Sequence, residues 1–166
     1  MKKSSFISLT AVMLTALTLS SCSTVTTSEY EATALTTYTW RVQYIDEPSP
    51  QFETFASTYL LNRNGLKPEG AVTGPDDRGL WWAALPPRPS VGEVEQRQKP
   101  QQQVSQPELL KTVDYKITYG VGSQRQTLPT NYDVYREVVK AYPSRIPLEL
   151  TLGVNGDTVE KAEQAD

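Results

Sequence analysis

The sequence contains no histidine and a single cysteine, Cys22. Without histidine the chain lacks the usual proton shuttle near neutral pH and the commonest nitrogen ligand for metals. Ser-His-Asp and Cys-His catalysis are excluded for the same reason. A lone cysteine can form no intramolecular disulfide and cannot by itself build a thiolate metal site. The sequence therefore predicts no catalytic residues, no metal and no cofactor, and it favours a protein that is not an enzyme.

The common catalytic and nucleotide-binding motifs are also missing. No GxSxG, SxxK, P-loop or EF-hand pattern occurs. Asp76-Asp77 is the only adjacent aspartate pair, and hydrolysis of a glycoside needs two carboxylates facing each other about 5–9.5 Å apart. The surrounding Gly-Pro-Asp-Asp-Arg-Gly stretch is more typical of a turn with local hydrogen bonds. A carboxylate-based hydrolase stays open as an alternative.

The N-terminal segment has the organisation of a signal peptide. Basic Lys2 and Lys3 precede an apolar run that ends at Leu19, which is typical of a secretory leader. The run is shorter than the roughly 20 apolar residues that span a bilayer. Leu19-Ser20-Ser21-Cys22 resembles the lipobox of bacterial lipoproteins at all four positions. An ordinary secretory leader followed by an incidental cysteine is the alternative.

The resemblance to bacterial lipoproteins implies a lipid-anchored protein. Residues 1–21 would be removed, Cys22 would carry a diacylglyceryl thioether, and its new amino group would carry a further acyl chain such as palmitate. Ser23 follows the cysteine, and the resemblance then implies the outer membrane where the cell has one. Otherwise the expected location is the extracytoplasmic face of the cell membrane.

The charge of the mature chain argues against polyanionic partners. Loss of Lys2 and Lys3 with the leader takes the formal net charge from −3 to −5. Nucleic acids and anionic membrane surfaces both call for a basic face. We therefore expect no nucleic-acid partner and attachment to the membrane through lipid alone.

Composition divides the mature chain into a tether and one domain. Residues 22–37 are rich in Ser and Thr and predict a flexible lipidated tether. Residues 38–163 predict a single α+β domain, with three to four mostly antiparallel strands backed by two helices. Alternation over residues 38–44 predicts the first strand. A helix is expected next, because Ser49 suits an N-cap and Phe52, Phe55 and Tyr59 recur at helical spacing.

The second half of the domain has clearer periodicity. Residues 113–121 and 146–154 alternate apolar with other side chains, so each predicts a strand. Between them, Thr130 or Asn131 can cap a helix that Pro143 ends. Asn155-Gly156 favours a two-residue hairpin turn, with a short returning strand over residues 157–161.

Residues 86–107 predict an exposed Pro/Gln-rich excursion, in which Ser90 and Glu93 form a capping-box pattern for a short helix. Just before it stand Trp81 and Trp82. Adjacent side chains of an extended segment point to opposite sides, so one tryptophan could stack on a sugar or on a partner. Trp81, Trp82 and Arg88 are the candidate contact residues. Burial of both tryptophans is the alternative.

These observations favour a non-enzymatic accessory lipoprotein that binds another cell-envelope protein. A lipid anchor, a small domain and the missing catalytic residue types support this interpretation. A glycan- or peptidoglycan-binding lipoprotein that uses Trp81 or Trp82 is the second hypothesis, and the carboxylate-based hydrolase is the third.

Overall fold

The computed structural model describes residues 23–45 and 49–165, and the lipobox and Cys22 lie outside them. The described chain forms one mixed sheet of eight strands. The strands are β1 (Thr24–Thr27), β2 (Tyr30–Ile45), β3 (Gln51–Arg63), β4 (Gln103–Val104), β5 (Glu108–Val121), β6 (Gln124–Thr130), β7 (Leu148–Leu152) and β8 (Val159–Gln164). Their order is β1-β7-β8-β6-β5-β2-β3, with β4 paired to β2, and among these described strands only β6 and β8 pair in parallel. The helices are α1 (Val91–Arg97), α2 (Tyr132–Ala141) and the 3₁₀ turn Tyr142–Ser144.

The predicted architecture of three to four strands backed by two helices is wrong. The sheet has eight strands, and its two helices are short. The sequence-based prediction missed the strands at residues 24–37 and 51–63, which it had assigned to a tether and a helix. Residues 24–37 pair with β7 and β5, which are distant in sequence, whereas residues 51–63 pair with β2, the strand just before them. In both cases strand formation depends on cross-strand packing, which local patterns report poorly.

The segment expected to be a tether enters the sheet almost at once. β1 pairs with β7, and β2 begins at Tyr30. Along β2 every second residue from Tyr30 to Tyr38 is buried, while the residues between them are half-buried. Small side chains at Ala32 and Ala34 pack in the same cluster as α2, and the threonines between are β-branched residues that favour strands. This period-two pattern was the signal for a strand.

The segment expected to be a helix is β3. It pairs with β2 along its length, with a bulge between Trp40 and Arg41. A bulge places an extra residue on one strand and shifts the alternation. Phe55 consequently packs on the side of Val42, while Phe52 and Tyr59 are exposed. Their helix-like spacing is thus a strand pattern with a change of phase.

The sheet curls around α2. Only Ser28 and Glu29 join β1 to β2, although four strands separate them in the sheet order. In a flat sheet that separation would be about 24 Å, while the link spans at most about 11 Å. The inner face of the curled sheet carries Thr36 and Tyr38. The main hydrophobic core lies between this face and α2, which contributes Val134, Tyr135, Val138 and Ala141.

Several local predictions are confirmed. Asn131 caps α2 by accepting the Val134 N–H at 3.0 Å, and Ser90 with Glu93 forms the capping box of α1. β7 lies within the expected range, and β5 covers residues 113–121 as expected but begins five residues earlier, at Glu108. β7 and β8 form the expected hairpin, but its turn is centred one residue earlier, because Gly156 N–H donates to Gly153 C=O. Within the described residues, no helix is long and apolar enough to cross a membrane.

Candidate functional site

Residues 71–86 form a strap that crosses the inner face of the sheet. The Asn62 side chain, 1% exposed, accepts the Trp81 N–H at 2.7 Å and donates to the Trp81 C=O at 3.0 Å. Further along, Thr58 donates to the Ala84 C=O and the Trp40 indole donates to the Pro86 C=O. Sheet side chains thereby satisfy strap backbone groups that have no ladder partner, as buried backbone requires. The strap fixes the position of residues 86–107.

The two tryptophans occupy different environments, as expected of adjacent side chains in an extended segment. Trp82 is only 5% exposed and packs on Tyr38, with 4.8 Å between ring centroids. The Lys111 ammonium lies 4.2 Å from its ring centre. Trp81 is half-buried, and the Lys67 ammonium lies 5.1 Å from its ring. Trp82 is therefore a core residue, and only Trp81 offers part of its ring to a sugar.

Asp76 stabilises the turn at which the strap reverses direction. One carboxylate oxygen accepts the N–H groups of Arg78 and Leu80, and the other accepts the Trp82 indole at 2.8 Å. Burial raises the Asp76 pKa, but these hydrogen bonds outweigh it and hold the pKa below its ordinary value. The predicted turn is confirmed, and both carboxylate oxygens of Asp76 accept hydrogen bonds from groups within the strap.

The aromatic hydroxyls beneath the strap are buried. Tyr115 lies 5.9 Å from Tyr132 and 5.1 Å from Tyr135, measured between ring centroids. Burial raises the pKa of Tyr135 to about 12, so the hydroxyl keeps its proton near neutral pH. In residues 23–45 and 49–165, no three acidic side chains converge to hold a metal ion.

A groove of about 430 Å³ opens between α1 and the segment that follows β4. Its floor includes Val94 and Val104, and Val91 on its wall is 73% exposed. Two prolines, Pro89 and Pro107, close its sides. The other lining residues are polar or charged: Arg88, Ser90, Glu95, Gln98, Ser105 and Gln106. A concave apolar surface with a polar rim is typical of a binding site.

The groove rests on a second, smaller core at the far end of the sheet. Val94 packs there with Val42 and Tyr44, and the Tyr44 hydroxyl donates to the Val94 C=O at 2.9 Å. Burial raises the Tyr44 pKa, which keeps that hydroxyl a donor. Arg97 lies 4.0 Å from the Phe55 ring centre. The α1 wall is therefore held to β2 and β3 rather than being a free excursion.

Arg88 is the predicted contact residue that lines this groove. Its guanidinium lies 5.5 Å from the centre of the Trp40 ring, and its side chain is on the exposed surface. Trp81 and Trp82 do not line the groove. Sequence reasoning missed Val91 and Val94, although their three-residue spacing after the capping box predicts a shared helix face.

The Pro/Gln-rich segment is mostly exposed, but it is not only a surface excursion. Pro86, Pro89, Val94 and Gln102 within it are buried. Removing residues 90–106 would uncover Val42 and Tyr44, so a deletion there would destabilise the end of the sheet.

Comparison with protein-family models, curated proteins and solved structures finds no match to this chain.

Proposed function

We propose that this protein is a lipid-anchored accessory protein of the bacterial cell envelope that binds another envelope protein and catalyses no reaction. The observation that carries the proposal is the groove beside α1, in which an exposed Val91 and an unburied Arg88 border an apolar floor. Its volume of about 430 Å³ and its polar rim suit a peptide segment of a partner.

The arrangement of the sheet supports this role. The first strand begins at Thr24, two residues after the proposed lipid-bearing Cys22, so a rigid sheet rather than a flexible tether follows the anchor. From Tyr30 to Tyr44, β2 then carries the chain about 45 Å at roughly 3.3 Å per residue. The groove lies at the end of that strand, where Val94 packs on Tyr44. In a molecule anchored through Cys22, the groove would therefore lie at the end of β2 that is farther from the lipid.

The chemistry of the groove indicates the kind of segment it takes. Val91, Val94 and Val104 offer apolar contacts, whereas Arg88 and Glu95 place opposite charges among its lining residues. An extended segment with apolar side chains and an acidic residue near Arg88 fits this pattern. Burial of two or three such side chains stabilises a complex by about 1.5–3 kcal/mol each before association costs.

A photo-crosslinking amino acid in place of Val91 should capture the partner in intact cells. Val91 borders the groove and is well exposed, so a bound segment would lie within reach. The control carries the same amino acid in place of Arg136, which is exposed on α2 outside the groove. We expect a covalent product with an envelope protein at position 91 only, identified by mass spectrometry.

Charge reversal at the rim makes this experiment specific. Arg88→Glu should lower capture at position 91 at least fivefold, because it repels an acidic partner residue, whereas Arg136→Glu should not. Equal capture at positions 91 and 136, or capture that is insensitive to Arg88→Glu, would show that the groove is not the binding site.

Cys22→Ala should release the protein from the membrane, because the thioether needs the cysteine sulfur. Each buried methylene contributes about 0.8 kcal/mol, so loss of two or three chains removes essentially all membrane affinity. Membrane fractionation and palmitate labelling of cells would measure both effects, with Ser23→Ala as the control. Palmitate incorporated equally into Cys22→Ala would contradict the lipoprotein assignment.

A further inference from the structure

A polar cavity of about 660 Å³ lies beside the link between β1 and β2. Its lining includes Glu29 of the link, Arg125 of β6, and Tyr142 and Arg145 from the segment after α2. Three parts of the chain that are distant in sequence therefore converge on one concave surface. The cavity shares no lining residue with the groove beside α1, so the two surfaces are separate.

Arg145 is held in place at the wall of this cavity. Its backbone is left-handed, with a φ of 50°, and its N–H donates to the Tyr142 C=O at 3.2 Å. Its guanidinium lies 4.1 Å from the centre of the Tyr142 ring and donates to the Tyr30 C=O at 3.3 Å. The buried Tyr30 hydroxyl in turn donates to the C=O groups of Ala141 and Ile146. A guanidinium carries five N–H donors, so the bond to Tyr30 leaves most of them for a ligand.

Glu29 is held at the opposite side of the link, over Gly120. The Glu29 N–H donates to the Thr27 hydroxyl at 3.0 Å, and its C=O accepts the Gly120 N–H at 2.8 Å. The Glu29 carboxylate lies 2.7 Å from the position that a Cβ on Gly120 would take. Arg125 is the partner of Gly120 on β6, and partners on antiparallel strands carry their side chains on the same face. Glu29 and Arg125 therefore border the same part of the cavity.

The charges of the cavity are not neutralised by one another. In the part of the chain that the structure describes, no ion pair includes Arg125, Arg145 or Glu29. Glu31 also lines the cavity, but it is paired with Arg63 at 2.7 Å. The cavity thus presents two positive charges and one negative charge that are held apart. A complementary ligand carries an oxyanion for the arginines and, some distance away, a cation for the glutamate.

We propose that this cavity binds a phosphoethanolamine group, in which a phosphodiester is joined through two carbons to a primary ammonium. Arg125 and Arg145 donate to the phosphodiester oxygens, because guanidinium groups bind phosphate through paired N–H donors. The Glu29 carboxylate accepts hydrogen bonds from the ammonium. A free amino acid carries the same two charges on a single carbon, which is a poorer match to arginines and a glutamate that are too far apart to pair.

A membrane lipid is the nearest source of such a group. Ser28, which also lines the cavity, follows Cys22 by six residues, so the chain between them spans at most about 22 Å. A cavity this close to the lipid-bearing residue can reach the headgroups of the surrounding bilayer. This choice of source rests on the proposed lipid anchor, whereas the match between the cavity and phosphoethanolamine does not.

Calorimetric titration of the full mature chain in detergent with glycerophosphoethanolamine, a soluble diester, tests the site. We expect one molecule bound per chain, and at least tenfold weaker binding for Arg145→Gln and for Arg125→Gln. Arg125 is exposed on β6, so its replacement leaves the core intact even if Arg145→Gln perturbs the turn. Arg136→Gln, at an exposed position of α2 outside the cavity, is the matched control and should bind normally. Absence of binding, or equal binding by Arg125→Gln and Arg136→Gln, would overturn the proposal.

A second ligand tests the role of Glu29. Glycerophosphocholine has the same phosphodiester, but its quaternary ammonium has no N–H to donate. It should bind at least fivefold more weakly than glycerophosphoethanolamine, and Glu29→Gln should abolish this preference. Equal binding of the two diesters, or tighter binding of free alanine than of either, would show that the cavity is not built for phosphoethanolamine.

Native mass spectrometry distinguishes the two sources of the group. Phosphatidylethanolamine retained by the parent chain but not by Arg125→Gln would identify a membrane lipid as the ligand. Binding of the soluble diester without retention of phosphatidylethanolamine would assign the same site to a soluble phosphoethanolamine compound. Neither measurement depends on the lipid anchor, so a failure of the Cys22→Ala prediction would leave both results unchanged.

Discussion

Ile117→Asp should destabilise the protein by several kcal/mol, which is a large part of its stability. Ile117 is 0% exposed at the centre of β5, within the main core. A carboxylate there would lose its hydration without gaining a partner, at a cost of about 4 kcal/mol or more. Domains of this size have about 5–15 kcal/mol of stability. Leu150→Asp, also at a 0% exposed position, should have an effect of similar size.

Urea unfolding followed by tryptophan fluorescence measures both variants. Lys116→Asp is the matched control, since Lys116 is exposed on the opposite face of the same strand and its replacement should change stability by less than about 0.5 kcal/mol. Midpoints that are equal for Ile117→Asp and Lys116→Asp would show that the face of β5 has been assigned wrongly.

Asn62→Ala should loosen the strap and destabilise the protein by about 1–3 kcal/mol. The Asn62 amide pairs with both the N–H and the C=O of Trp81. Alanine would leave the Trp81 N–H unpaired in a largely buried position, at a cost of about 1–3 kcal/mol. The Trp81 C=O would keep its bond from the Thr36 hydroxyl, at 2.9 Å. Because the strap positions Trp82 on Tyr38, the native fluorescence of Trp82 should also change.

The same substitution at a helix cap calibrates this effect. Asn131→Ala removes one bond, from the Val134 N–H to the cap of α2, and should cost about 1 kcal/mol. The urea midpoint should therefore fall further for Asn62→Ala than for Asn131→Ala. The reverse order would mean that water replaces the Asn62 amide in its hydrogen bonds to Trp81 and that this amide does not hold the strap in place.

The groove was only partly accessible to sequence reasoning. The Ser90–Glu93 capping box predicted α1 directly, and Arg88 was identified as a contact candidate. The valines that line the groove were not identified as contact candidates. Val104 in particular belongs to a two-residue strand that forms only through pairing with β2.

The sequence by itself determined the elements whose information is local. Alternation specified β5 and β7, Asn131 and the apolar face of the following residues specified α2, and the lack of histidine limited the available chemistry. Only the tertiary structure decided that residues 24–37 and 51–63 form strands. Their threonines, small residues and phase-shifted aromatics become strands because β2, β5 and β7 supply pairing partners and α2 supplies a surface to pack against. Pairing energy of this kind depends on contacts outside each segment, so the local pattern alone does not decide between a strand, a helix and a tether.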